Sequence, residues 1–255
     1  MFAKERQDKI YHLLQQNGAV TTLDLVNTFQ VSIETIRRDL LYMEQNKLLR
    51  RVHGGAVTAG EMLPFHNLDL RNEEHPDEKL ELSEIAMQFV KEGDIIGVDA
   101  GSTAISFAQT LKTHFSRLTI ITHSIDVFHI LHRHADFTVL LCGGHFMQDE
   151  NAFYGELALD FIGKLHMQKS FLFPSGISLK FGLCDYQQEL AQMQKKMLEC
   201  SDNIYILADS SKFEKTALLK VDDMKPEYTY ITDSGLSEDL QKIYRENQLH
   251  VVTAP

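Results

Sequence analysis

VSIETIRRDL at residues 31–40, with the Arg-Arg-Val-His-Gly-Gly that follows at 50–55, decides how this 255-residue chain is read. Ser32 can cap a helix by accepting a backbone N–H bond. At about 3.6 residues per turn, Ile33, Ile36, Leu40 and Met43 then share one apolar side. The opposite side carries Thr35, Arg38 and Tyr42, with Arg37 on its flank. A helix that buries one face and presents arginines and hydroxyls on the other suits a DNA groove.

Working outward, residues 4–17 place Ile10, Leu13 and Leu14 on one face of a first helix, with Gly18 as a left-handed stop. Thr21 followed by Asp24 resembles a capping box and opens a second helix through Leu23, Leu25, Val26 and Phe29. A short turn at Gln30 and Val31 joins it to the helix above, which makes a helix-turn-helix. Downstream, Lys47 to Val52 and Ala56-Val57 flank His53-Gly54-Gly55 as two short strands around a turn. Appended to a helix-turn-helix, that hairpin is a wing, and Arg50, Arg51 and His53 would reach phosphates or the minor groove. Adjacent arginines can also be a solvated surface pair; helix, turn, hairpin and charge asymmetry together favour DNA contact.

The charge asymmetry appears only when the net −11 is divided along the chain. Residues 1–57 carry a balance of +2 and the remainder −13. Phosphate binding follows local charge, and the acidic remainder confines contact to the N-terminal face. A hydrophobic content of 44% is that of a folded protein and excludes wholesale disorder. No apolar run reaches bilayer length and no signal-type segment follows the first charges, so the expected location is cytoplasmic with no membrane partner. Cys142, Cys184 and Cys200 lack CxxC spacing and read as buried thiols.

Residues 58–76 lose periodicity, carry Gly and two prolines, and are expected to link residues 1–57 to a second domain at 77–255. Helices are expected at 78–91, 104–115, 125–134, 155–165, 186–200 and 237–246. Strands are expected at 94–99, 118–122, 137–142, 170–174, 203–208, 228–232 and 249–253. This alternation predicts a mostly parallel, Rossmann-like sheet covered on both faces.

Ligands in such sheets collect where strand ends run into helix N-termini. Asp99-Ala100-Gly101-Ser102-Thr103 is one such loop: glycine lets backbone approach a guest, and Ser102, Thr103 and free N–H groups can hold phosphate. A plain capped helix start accounts for the same five residues. Thr122-His123-Ser124, Gly143-Gly144 and Asp209-Ser210-Ser211-Lys212 are further loops of this kind, with Lys212 suited to phosphate and Asp209 to a hydroxyl or to the lysine itself. Asp185 and Glu189 share a face at a helix start, where they serve either a ligand or the helix dipole. His129, His132 and His134 do not form a ligand set, so no metal is expected. Met193, Met197 and Leu198 read as core.

The N-terminal part resembles the winged helix-turn-helix of the DeoR family of bacterial transcription regulators in Gly18 to Val20, in Val31-Ser32 with TIRRDL at 35–40, and in RRVHGGA at 50–56. That resemblance implies DNA contacts from Ser32, Thr35, Arg37, Arg38, Arg50, Arg51 and His53. DAGST at 99–103, LTIITHS at 118–124, LLCGG at 140–144, Gly155, Gly176, Gly182-Leu183, Glu189 and ILADSSKF at 206–213 resemble the same family's sensor domain. That domain is similar in fold to ribose-5-phosphate isomerases and CoA-transferases. His123 stands where the family usually has Asn, and PSG at 174–176 also departs from its usual wording.

The combined expectation is a repressor of a carbohydrate-utilisation operon that binds double-stranded operator DNA as a homodimer or homotetramer, responds to a phosphorylated sugar and needs no cofactor. The alternative is an enzyme on the same fold, a sugar-phosphate isomerase or CoA transferase. In the isomerase, Asp185, Glu189 and Lys212 would supply base and cation.

Overall fold

The structure is a computed structural model that describes residues 3–17, 19–45, 48–52, 54–58 and 68–254. The N-terminal part runs α1 (Ala3–Asn17), β1 (Ala19–Thr21), α2 (Thr22–Phe29), α3 (Ile33–Gln45), β2 (Leu49–Val52) and β3 (Gly55–Thr58). The three strands form an antiparallel sheet in the order β1-β3-β2. Ile10, Leu14, Leu25, Ile36, Leu40 and Met43 make the core between helices and sheet. The Thr21 hydroxyl caps α2, accepting from Asp24 N at 3.1 Å and donating to Asp24 Oδ2 at 2.7 Å. Ile33 departs from expectation and is exposed at 41%, and Leu23 is exposed at 64%. Both open their helices, where the first turn projects past the core. β1 was not anticipated, because three residues are too few to show alternation. Gly18 and His53 lie outside the described residues.

The remainder runs α4 (Leu68–Glu73), α5 (Pro76–Ala86), β4 (Ile95–Val98), α6 (Ser102–His114), β5 (Thr119–Thr122), α7 (Ile125–Leu131), β6 (Thr138–Leu141), β7 (His145–Met147), β8 (Ala152–Tyr154) and α8 (Glu156–Gly163). It continues with β9 (Met167–Leu172), β10 (Gly176–Ser178), β11 (Gly182–Asp185), α9 (Gln188–Glu199), β12 (Ser201–Leu207), β13 (Leu219–Asp222), β14 (Thr229–Ile231), α10 (Glu238–Glu246) and β15 (His250–Val252). Seven strands form one sheet in the order β15-β14-β12-β9-β4-β5-β6, and every pairing in it is parallel.

Alternating residues of the strands feed two cores, as a sheet covered on both faces requires. Ile120 packs with Leu82 of α5, Phe107 of α6 and Leu131 of α7, whereas Ile121 packs with Ile162 of α8, Met197 of α9 and Tyr244 of α10. Met193 and Met197 are fully buried, as their spacing suggested.

Three features differ from the sequence reading. The stretch taken as linker contains helix α4; β7 and β8 form a hairpin; and β10, β11 and β13 form a separate antiparallel sheet. All are elements of three to six residues, too short for a periodic signal. That small sheet touches the wing. Ala19 and Val57 meet Leu218, with Val52, Phe181, Tyr186 and Leu219 packed around them. Among the described residues no helix is long and apolar enough to cross a membrane.

Candidate functional site

The wing and α3 form one surface. The Ser32 hydroxyl accepts from Thr35 N at 3.2 Å and pairs with the Thr35 hydroxyl at 2.9 Å, which starts α3 with its first turn facing out. Arg37, Arg38, Tyr42, Arg50 and Arg51 are exposed, and the Arg37–Glu34 pair at 3.8 Å is a weak surface contact. Glu44 Oε1 accepts from Arg51 N at 2.7 Å and ties the wing to the end of α3. Asp39, in the middle of TIRRDL, points inward instead, where Arg6 Nε and Gln7 Nε2 donate to its carboxylate. The Asp39 anchor was not anticipated. Its signal was present, since position 39 lies between the apolar positions 36, 40 and 43 on the helix.

The second site is a cavity of about 200 Å3 lined by Arg71, Glu74, His75, Lys79, Ser102, Ser175, Tyr186, Asp209, Ser211 and Lys212. α4, the turn that follows it and the start of α5 supply the first four, α6 supplies Ser102, and the turn after β12 supplies the last three. Gly101 takes φ +119° at the N-cap of α6 and offers no side-chain oxygen, so the first-turn N–H groups are left for another acceptor.

Lys79 is only 4% exposed and donates to the carbonyls of Arg71 and Glu74. Burial, then the neighbouring Lys212 charge, pulls its pKa down to about 8. Lys212 Nζ lies 3.7 Å from Asp209 Oδ2. Burial alone would raise the Asp209 carboxyl, but Lys212, the Ser211 hydrogen bond, His75 and Lys79 outweigh it and hold it below its ordinary value. Arg71 pairs with buried Glu150, whose carboxyl is raised by burial against the opposing pull of Arg71. Arg71 Nε and Thr103 Oγ1 are buried with no hydrogen-bond partner among the described residues.

Of the expected ligand residues, Ser102, Asp209 and Lys212 line this cavity, with Gly101 and Thr103 beside it on the turn into α6. Asp99 and His123 sit behind it as a buried pair: Asp99 Oδ1 lies 2.9 Å from His123 Nε2, and His123 Nδ1 is 3.0 Å from the Phe153 carbonyl. Asp99 Oδ2 also accepts from Phe173 N and Gln194 Nε2. Asp185 is likewise enclosed, accepting from Tyr186 N and Gln194 Nε2, and burial with Asp99 nearby raises its carboxyl.

The others are placed elsewhere. Thr122 and Ser124 hold the turn into α7, where Ser124 Oγ accepts from Val127 N at 3.3 Å. Gly144 and Gly176 allow backbone to pack closely: a Cβ would lie 2.5 Å from the Tyr154 carbonyl oxygen at one and 2.8 Å from that of Lys215 at the other. Gly143 faces open space, and Glu189 does not line the cavity. Among the described residues no group of three metal-capable side chains converges; His132 stacks on Phe128 and His134 on Phe137.

Missed by sequence reading were Arg71, Glu74, His75, Lys79, Ser175 and Tyr186; Ser211 belongs to the Asp209–Lys212 loop the sequence already offered. Lys79 had a signal, because it falls three residues before Leu82 on the buried face of α5, an unusual place for an unpaired lysine.

A winged helix with an outward arginine surface, carried on a parallel α/β domain with a cationic cavity, defines a DNA-binding regulator with a sensor domain. Residues 6–61 match the DeoR-like helix-turn-helix domain and residues 74–234 the DeoR C terminal sensor domain. The chain belongs to the DeoR family of transcriptional regulators. It is similar to the L-fucose operon activator of Haemophilus influenzae, 30% identical over 247 residues that cover 97% of this chain and 98% of that one. It is also similar to the glycerol-3-phosphate regulon repressor of Escherichia coli, 27% identical over 249 residues and 97% of each chain. Ribose 5-phosphate isomerase A of Methanocaldococcus jannaschii overlaps 55% of each chain at 17% identity and a TM-score of 0.40, too loose a likeness to bear on chemistry.

Proposed function

We propose that this regulator represses a carbohydrate-utilisation operon, and that a phosphorylated sugar in the cavity sets its grip on double-stranded operator DNA. The observation that carries this reading is the convergence of Lys79 and Lys212 on one cavity. Among the described residues Lys79 donates to backbone carbonyls and to no carboxylate. A phosphate dianion would relieve the repulsion between the two lysines and accept from the uncapped first turn of α6 at Ser102 and Thr103. Asp209 and Ser175 would then take sugar hydroxyls, which distinguishes a sugar phosphate from inorganic phosphate.

On the DNA side, α3 would enter the major groove through Thr35, Arg38 and Tyr42, while Arg37, Arg50, Arg51 and His53 would meet phosphates or the minor groove. Paired half-sites would call for a homodimer or homotetramer, and contact with an operator would fit a cytoplasmic protein. The isomerase alternative requires a base beside the substrate. Asp185 is enclosed by Tyr186, Gln187 and Gln194, and neither it nor Glu189 lines the cavity. A thermal-shift screen of sugar monophosphates tests the reading: a shift with at least one of them, lost in Lys79→Ala and Lys212→Ala, is expected. No shift with any of them, or catalytic turnover of one, contradicts it.

A further inference from the structure

The face of the wing turned toward the sensor follows from strand alternation. On β1 and β3, Val20 and Ala56 enter the winged-helix core, so Ala19 and Val57 must point the opposite way, onto Leu218. Arg50 is the cross-strand partner of Val57 and shares that outer face, whereas Arg51 pairs with Ala56. Leu218 is 6% exposed and seats against the Gly-Gly turn: a Cβ on Gly55 would lie 2.8 Å from Leu218 Cδ1 and 2.1 Å from the Val20 carbonyl oxygen. The turn therefore has a packing reason for glycine beyond its own geometry.

Tyr186 belongs to both sites. It lines the cavity with Lys79 and Lys212, and it packs in the apolar cluster with Val57 and Leu218. Its hydroxyl lies in the field of Arg50 on the wing and Arg71 in the cavity. Lys212 and Ser211, also cavity residues, precede Leu218 on the same short connection from β12 to β13. Arg37, Arg38 and Arg51 stay exposed in this docked arrangement, so docking fixes the direction of the DNA-reading face without covering it.

We propose that the seat of the wing on Leu218, with Tyr186 shared between seat and cavity, is the joint through which cavity occupancy reorients the DNA-binding domain. This rests on the sugar-phosphate reading above for the identity of the occupant. An occupant drawing Lys212, Ser211 and Tyr186 inward shifts the platform under Ala19 and Val57, and the wing with α3 moves as one piece because Glu44 ties them. The coupling can be no larger than the occupant's preference between the docked and the displaced arrangements.

The test uses the full chain, with a mixture of aldose and ketose monophosphates as the probe. DNA affinity is measured with and without the probe in wild type, Leu218→Ala and the volume-conserving Leu218→Met; thermal shift reads probe binding separately, and amide exchange reads the wing strands. Expected are a ratio of DNA affinities of about fivefold or more in wild type and Leu218→Met, collapse toward unity in Leu218→Ala with the thermal shift retained, and faster exchange in Ala19–Thr21 and Gly55–Thr58 of Leu218→Ala. An unchanged ratio in Leu218→Ala overturns the joint. If wild type shows no thermal shift, the sugar-phosphate reading has failed on its own. The joint is then judged by exchange, and wing strands equally protected in wild type and Leu218→Ala overturn it.

Discussion

Arg6 Nε donates to Asp39 Oδ2 at 2.5 Å, joining α1 to α3 through a pair of side chains 7% and 5% exposed. With Gln7 Nε2 donating to Asp39 Oδ1 at 2.9 Å, it sets the pitch at which α3 presents Arg37 and Arg38. Replacing Asp39 by alanine removes the carboxylate to which the buried Arg6 guanidinium donates. Loss of one member of such a pair costs about 3–5 kcal/mol. Urea unfolding of Asp39→Ala is expected to show a loss of that order in the N-terminal transition; a midpoint within error of wild type would mean the pair is not an anchor.

The lowered Lys79 pKa gives a pH dependence with a definite sign. Below about 8 the lysine is protonated whether folded or unfolded, and between about 8 and its ordinary 10.5 only the unfolded chain keeps the proton. Stability contributed by this group therefore rises with pH across that window. Affinity for a sugar phosphate runs the other way, because the anion prefers charged Lys79, and should fall about tenfold between pH 7 and pH 9. The phosphate itself is already a dianion throughout that range. Calorimetric titration at the two pH values checks this, and equal affinities would remove Lys79 from the site.

Gly143 and Gly144 separate two meanings of a Gly-Gly pair. An added Cβ on Gly143 meets nothing within 4 Å among the described residues, so Gly143→Ala should stay within about 0.5 kcal/mol of wild type. At Gly144 the same atom would sit 2.5 Å from the Tyr154 carbonyl oxygen and 3.2 Å from Ala158 Cβ, and Gly144→Ala should lose about 1–3 kcal/mol. Thermal unfolding of both variants decides; equal behaviour would show that the hairpin at β7 and β8 does not press on this turn.

The sequence made α3, the wing hairpin and the parallel character of the main sheet legible because each rests on a strong local signal: a cap, a turn or a run of buried aliphatics. The cavity was legible only where a strand ran directly into a helix, at Ser102 and at Asp209 to Lys212. Arg71, Glu74 and His75 were missed because they stand on and after a six-residue helix inside a stretch whose composition resembles a linker. Tyr186 was missed because its role depends on β10, β11 and β13 coming together, and pairing between strands of three and four residues leaves no mark in any one of them.

Arg38 is exposed on α3, and Arg51, paired through its backbone to Glu44, is exposed on the wing. Each is expected to neutralise one phosphate. Arg38→Ala and Arg51→Ala should each flatten the slope of log affinity against log salt by about one. Slopes identical to wild type would place both arginines off the DNA.

The most direct test of the central claim is fluorescence anisotropy of the full chain on a fragment of its own promoter, with and without sugar monophosphates, in wild type and Lys212→Ala. The account predicts salt-sensitive, sequence-selective binding in both proteins, and a change in affinity on adding sugar phosphate in wild type alone. Binding that ignores sequence, or a response to sugar phosphate that survives intact in Lys212→Ala, would contradict it.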